Sequence, residues 1–275
     1  MCACRARIHP LKTSVRLHLS AISGIEKAVS ISKTDSGLPG KSGGQSQTVL
    51  AFKRVLTEPS AFFDTPLWDV SFTLTQGQLL LVRMERGRFR LPIADLAAGI
   101  IAPADGAVEF MGKNWQEMTA DDAAAQRAKV GCVFEGQGWI SFLDVGQNIT
   151  LAQRHHTTRA DADIEAEATQ LARLFGLPGL PHRSVSGARL EDLNRSAFIR
   201  AFLGQPALII LERPTRDLMP GILAPLVNAV RLARDQGSAI IWTTSEDLIW
   251  RDPGIHATFK CTMFGARMSV VAEEK

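Results

Sequence analysis

Short apolar runs without polar alternation recur along this chain, and they limit its fold more than any other feature. LLLV at 79–82, VGCVF at 130–134, ALIIL at 207–211 and AIIW at 239–242 are the clearest. A strand with one face in water alternates apolar and polar side chains, because successive side chains point to opposite faces. Runs that skip the alternation are buried on both faces, as in a parallel sheet covered by helices. The segments between the runs have a helical period. RADADIEAEATQLARLFGL puts Ile164, Ala168, Leu171 and Leu174 on one face and stops at Gly176. A helix is expected around 190–203, and PGILAPLVNAVRLARDQG reads as another, with proline at its start and Gly237 at its end. LWDVSFTLTQGQLLLVRM gives two strands about a turn at 76–78. A further strand is expected near 106–111, a buried one at 129–134 and a short helix at DDAAAQRA. The class is α/β, a largely parallel sheet with flanking helices. Such sheets hold ligands beyond the carboxyl ends of their strands, which singles out the segments after Leu81, Leu211 and Trp242.

The 275 residues, 45% hydrophobic and 21% charged, supply core material for one large domain or two small ones. A net charge of +3 is too small to imply a nucleic-acid partner. No stretch approaches the ~20 consecutive apolar residues of a membrane span. The cysteines, Cys2, Cys4, Cys132 and Cys261, form no C-x-x-C pair and no His/Cys cluster of zinc spacing. No metal site is expected, and reduced thiols of a cytosolic chain fit best. The charge is uneven: residues 1–50 hold seven Lys/Arg against two Asp/Glu, which leaves −2 on the rest. SISKTDSGLPGKSGGQSQ has the composition of a flexible linker, and a basic, mildly amphipathic segment precedes it. A poorly ordered tail over 1–49 and a folded domain over 50–275 are expected. A transit-like leader and a membrane-surface helix are the other readings of the basic segment. GKSGGQ at 40–45 imitates a phosphate loop, but such a loop needs a glycine five residues before Gly40, where Asp35 stands.

The stretch 79–99, LLLVRMERGRFRLPIADLAAG, has the frame of strand, tight loop and helix. A phosphate-binding loop of that frame uses glycines so that backbone N–H groups can wrap phosphates, and it ends in G-K-[ST]. Here those last positions hold Phe89, Arg90 and Leu91, and Arg83, Arg86, Arg88 and Arg90 surround a single glycine, Gly87.

From about 50 to 271 the order of segments resembles the ATP-binding subunit of ABC transporters, a P-loop NTPase family. WDVSFTLTQGQLLLV looks like the family's opening strands. LAAGIIAPADGAVEFMGKNW resembles the stretch after the phosphate loop, and VGCVFEGQGWISFLDVGQNITLA the Q-loop stretch. IRAFLGQPALIILERPT resembles the run from the signature helix through Walker B, and SAIIWTTSEDL the strand before the switch histidine. The spacing over 134–149 and the phrase NITLAQRHHT look most like the lipid-transport branch associated with Mce-type substrate-binding proteins. The resemblance implies the ABC-type fold, with a small antiparallel β part and a helical subdomain at about 136–200. It also implies ATP with Mg²⁺ as ligand, a membrane permease as partner, and a place in the cytoplasm on the inner face of the membrane.

The frame matches broadly and the chemistry hardly at all. Counted back from Gly99, the loop glycines fall on Met84, Gly87 and Phe89. The lysine position carries Arg90, and the two hydroxyl positions carry Leu91 and Pro92, which offer Mg²⁺ no side-chain oxygen. The Q-loop glutamine position holds Glu135 and the Walker B aspartate falls on Glu212. The next position, the family's general base, is Arg213, which cannot accept a proton from water at pH 7. The D-loop aspartate position is Met219 and the switch histidine position Ser245. Around 188 the signature reads ARLEDLNR, where Glu191 and Asp192 repel a phosphate, with VSGA as its only trace. Phe62 or Phe63 stands where the resemblance puts adenine stacking. A nucleotide, if held, meets Phe63, Gly87, Arg88, Phe89, Arg90, Leu91 and Pro92; no catalytic residue stands out among Glu135, Glu212, Arg213 and Ser245. The expectation is a degenerate subunit with little or no ATPase activity and a structural or regulatory role, docked on a permease or paired with a competent ATPase subunit. The alternative is an ATPase that binds nucleotide by altered contacts through Arg90, Glu212 and Glu135.

Overall fold

The computed structural model describes residues 46–63, 65–85, 87, 90–136, 138–216 and 221–271. The expectations for the tail before 46, for Arg88 and Phe89, and for Met219 lie outside the described residues.

Two sheets build the molecule. The first is four-stranded and antiparallel. Its strands β1 (Thr48–Leu56), β2 (Val70–Thr75), β4 (Asp105–Phe110) and β5 (Lys113–Asn114) run in the order β2-β1-β4-β5. Leu50 pairs with Leu74 and Phe52 with Phe72, whose rings stack 4.4 Å apart, a cross-strand pairing that fixes register on the buried face. The second sheet has six strands. Besides β3 (Leu79–Arg83) these are β6 (Val130–Val133), β7 (Leu208–Glu212), β8 (Ala239–Thr244), β9 (Phe259–Phe264) and β10 (Arg267–Val270). Their order is β10-β9-β3-β8-β7-β6, parallel except for the β9–β10 hairpin. The strands on either side of the turn at 76–78 therefore do not pair with each other: β2 belongs to one sheet and β3 to the other.

The apolar runs follow from this layering. Leu80 and Val82 of β3, Leu208 and Ile210 of β7, and Ala239 and Ile241 of β8 enter one core, shared with the antiparallel sheet and α1 (Ile93–Ala97). Their alternating neighbours Leu79, Leu81, Ile209, Leu211, Ile240 and Trp242 enter a second core on the opposite face. That second core is closed by α3 (Val145–His156), α4 (Asp161–Leu174), α5 (Leu190–Phe202) and α6 (Leu223–Asp235). A strand with a core on each face has no side free for polar residues, which is why the alternation disappears. The remaining helices are α2 (Ala120–Arg127) and α7 (Asp247–Arg251). Residues 129–134 are less buried than expected, since β6 lies at the edge of its sheet and leaves Val130 and Cys132 half-exposed. On α4 it is Ile164, Ala168 and Ala172 that are fully buried, while Leu171 and Leu174 pack at the margin. Among the described residues no helix is long and apolar enough to cross a membrane.

Candidate functional site

Four segments leave the carboxyl ends of β3, β6, β7 and β8, and the chemistry-bearing residues sit on them. After β3 the chain turns through Gly87, whose φ of +85° is the left-handed region where glycine carries no steric penalty. The two hydroxyl positions are buried. Leu91 is 3% exposed and packs into the first core, and Pro92 caps α1 in the α conformation with φ −72°. Met84, at a loop-glycine position, is buried and donates its N–H to the Thr244 carbonyl at 2.8 Å.

Arg90, at the lysine position, is turned back on its own chain. Its Nη2 donates to Asp95 Oδ2 and Oδ1 at 3.1 and 3.3 Å, and its guanidinium lies 5.2 Å from the centre of the Phe63 ring. Asp95 is a buried carboxylate on the otherwise apolar α1. Phe63 thus carries a cation on its face where the resemblance places adenine.

A second charge group forms beyond β6 and β7. Arg213 Nη1 donates to Glu135 Oε1 at 3.3 Å, and Arg216 Nη1 reaches the same oxygen. The Arg213 side chain is largely buried, its φ is +42°, and its N–H donates to the Thr243 carbonyl at 3.1 Å. A bulky residue at positive φ is uncommon, and here the backbone bond to β8 and the ion pair hold it. The Glu135 backbone N–H donates to Glu212 Oε2 at 3.2 Å. Glu212 is buried, and that burial, reinforced by Asp95 and opposed by Arg90 and Arg213, pushes its carboxyl up to about 7.

These groups share two adjoining cavities. One, of about 630 Å³, is lined by Phe62, Phe63, Arg90, Asp95, Glu135 and Glu212, with Phe134 and Ile100 at its side. The other, of about 350 Å³, adds Arg213, Arg216, Leu190 and Asn194 to Glu135 and Glu212. Of the residues that the sequence singles out, Phe63, Arg90, Glu135, Glu212 and Arg213 come together. Gly87, Leu91, Pro92 and Ser245 line neither cavity; Ser245 follows the end of β8, half-buried. The segment after β8 is held by other residues. Asp247 pairs with Arg83, Thr215 Oγ1 donates to Glu246 Oε1 at 3.1 Å, and the Trp250 ring has Arg83 and Lys260 at 5.7 and 5.5 Å. At the signature trace, Val185–Gly187 forms a 3-10 turn capped by the Ser184 hydroxyl. Glu191 and Asp192 occupy the first turn of α5, where negative charge suits the helix dipole, and Glu191 pairs with Arg195.

Sequence reasoning passes over Asp95 and Arg216. Asp95 has a signal, a lone carboxylate inside the apolar IADLAAG; Arg216 has none, since TRD is an ordinary surface tripeptide.

Three positions differ from what the resemblance implies for Mg²⁺-ATP. The metal's hydroxyl position points into the core, the single cation at the phosphate-lysine position is engaged by a buried carboxylate, and the base position is an arginine in an ion pair. Among the described residues no group of three or more His, Cys, Asp or Glu is set to hold a metal ion.

No protein-family model matches the sequence. The taurine import ATP-binding protein TauB of Jannaschia sp. (strain CCS1) is 23% identical over 213 residues, covering 75% of this chain and 70% of that protein. The xylose import ATP-binding protein XylG of Burkholderia ambifaria is 31% identical over 189 residues, 65% of this chain but only 36% of XylG. Among solved structures, the ATP-binding subunit of an ABC transporter superposes with a TM-score of 0.69 at 19% identity, over 82% of this chain and 90% of the other. The dimeric bacterial ABC transporter cassette MJ0796 gives 0.71 at 14% identity, over 82% and 99%.

Proposed function

We infer that this chain, which has the ABC ATPase fold and is similar in sequence to import ATP-binding proteins, is an ATP-binding-subunit-like component of an ABC transporter with lost or strongly reduced ATPase activity. The observation that carries the reading is Arg213. It stands where the family has its general base, and its guanidinium is tied to Glu135 rather than facing a water. Each of the lysine, the Mg²⁺ hydroxyl and the base contributes on the order of 10²-fold or more to such a reaction, and all three are changed together. The folding residues are untouched by these changes, because scaffold and site are separable. The role left to the chain is structural or regulatory. It docks on a membrane permease from the cytoplasmic face, or pairs with a competent ATPase subunit. The lipid-transport branch is supported only by the spacing over 134–149 and the phrase NITLAQRHHT; the relatives above carry the names of taurine and xylose import. Phosphate release at millimolar Mg²⁺-ATP is expected to stay at background. A rate near the ordinary ~1–10 s⁻¹, abolished by Glu135→Gln or Glu212→Gln, overturns the reading in favour of an ATPase with altered contacts.

A further inference from the structure

We propose that the cleft between Phe63 and Glu212 binds a small organic cation, an amidinium, guanidinium or primary ammonium carried on an apolar body. The inference rests on the reading above only in that the cleft does not take Mg²⁺-ATP. Its lining joins three carboxylates, Asp95, Glu135 and Glu212, and one arginine, Arg90, to the aromatic side chains of Phe62, Phe63 and Phe134. Carboxylates attract a cation directly, and ring faces attract it through their quadrupole. The same groups repel a triphosphate.

The chain supplies its own example. The Arg90 guanidinium is seated over Phe63 and against Asp95, so these walls hold a planar cation in the folded protein. Two of the three carboxylates have cationic partners, Asp95 in Arg90 and Glu135 in Arg213 and Arg216. Glu212 is served less well. It is only 7% exposed, one of its oxygens accepts the Glu135 N–H, and among the described residues the other oxygen accepts no hydrogen bond. Burial is the first cause of its raised carboxyl value and Asp95 the second, while Arg90 and Arg213 act to lower it. A donor cation at this oxygen adds a charge-assisted hydrogen bond to a carboxylate that otherwise accepts only one. A compact metal ion does not fit, because it needs several oxygens converging at about 2.0–2.6 Å and none of the carboxylate groups forms such a set. An organic cation needs one or two hydrogen bonds and a ring face. The cavity of about 630 Å³ has room for the body, and Phe62, 76% exposed, stands at its rim as apolar surface that a ligand would cover. Volumes of this order, about 300–1,000 Å³, are usual for small-molecule sites.

Benzamidine and its neutral isostere benzamide are the probes, titrated calorimetrically into the full chain. Benzamidine is expected to bind with a sub-millimolar Kd and benzamide at least about tenfold more weakly, the difference one charge-assisted hydrogen bond makes. Glu212→Gln should lose about tenfold of the benzamidine affinity and Phe63→Leu several-fold, on the same grounds. Arg90→Ala removes the resident guanidinium and should tighten benzamidine several-fold, a gain that a damaged fold does not produce. No benzamidine binding at about 10 mM, equal binding of the two probes, or a Glu212→Gln chain that binds as before overturns the proposal. Micromolar binding of Mg²⁺-ATP in the same cell refutes the functional reading instead, and leaves the benzamidine result to stand or fall alone.

Discussion

Strand β8 is buried along its whole length, from Ala239 to Thr244, whereas Ser245 and the two residues after it are partly exposed. That step separates two regions with different rules. Inside the sheet every position from Leu208 to Leu211 on β7 and from Ala239 to Trp242 on β8 faces one core or the other, and side-chain size and shape decide what is tolerated. At the rim, charge and hydrogen bonding decide: Arg90 pairs with Asp95, and Glu135 with Arg213 and Arg216. The difference shows that scaffold and rim follow separable constraints. The paired charges of the rim lie outside both apolar cores, and each arginine there has a neighbouring carboxylate that takes its charge.

The sharpest way to break the contrast is inside. Trp242 is completely buried in the second core, and among the described residues its indole N–H has no hydrogen-bond partner. Trp242→Ala is expected to cost about 3–5 kcal/mol in urea unfolding. Trp242→Phe loses no hydrogen bond and should cost well under half as much. A tryptophan-to-alanine loss under about 1 kcal/mol would show that the interior is not close-packed there.

Next in size is the pH dependence set by Glu212. Its folded value of about 7 lies above the ordinary 4.5, so the folded chain holds the proton more tightly than the unfolded chain. That contribution is fully present below about pH 4.5 and is lost as pH rises through 7. Between pH 5 and pH 8 the wild type should lose on the order of 2–3 kcal/mol more stability than Glu212→Gln, which stays neutral throughout. Parallel stability curves for the two chains would remove Glu212 from the account. Burial is the first cause of the shift and Asp95 the second, so Asp95→Asn should reduce the slope without abolishing it.

The smallest effect belongs to the outer edge of the rim. The Arg216 side chain is 39% exposed, and its pairing with Glu135 is shared with the more buried Arg213. Arg216→Ala is expected to cost no more than about 1 kcal/mol, less in high salt. A larger loss, measured by thermal unfolding at low and at 1 M salt, would mean that the rim is as tightly specified as the interior.

Much of the fold was legible because it rests on local periodicity. The apolar runs located β3, β7 and β8, and the 3.6-residue pattern located α4, α5 and α6, since each pattern is a direct record of which faces meet water. The hairpin of β9 and β10 was not read. FKCTMF mixes lysine and threonine into its apolar positions, and its burial alternates because β9 sits next to the sheet edge. The independence of β2 from β3 was equally hidden, as strand patterns carry no record of which sheet a strand joins.

For the rim, the sequence determined which groups are absent from single positions: no lysine at 90, no hydroxyl at 91 or 92, no carboxylate at 213. Such absences are properties of single residues and need no coordinates. Only the tertiary structure decided what the substitutes do. Arg90 and Asp95 are five residues apart, but Glu135 and Arg213 are separated by 78 and Glu135 and Glu212 by 77. Ion pairs and buried carboxyls depend on distances of a few ångströms and on exclusion of water, and both arise only when separate strands of the sheet bring their carboxyl ends together.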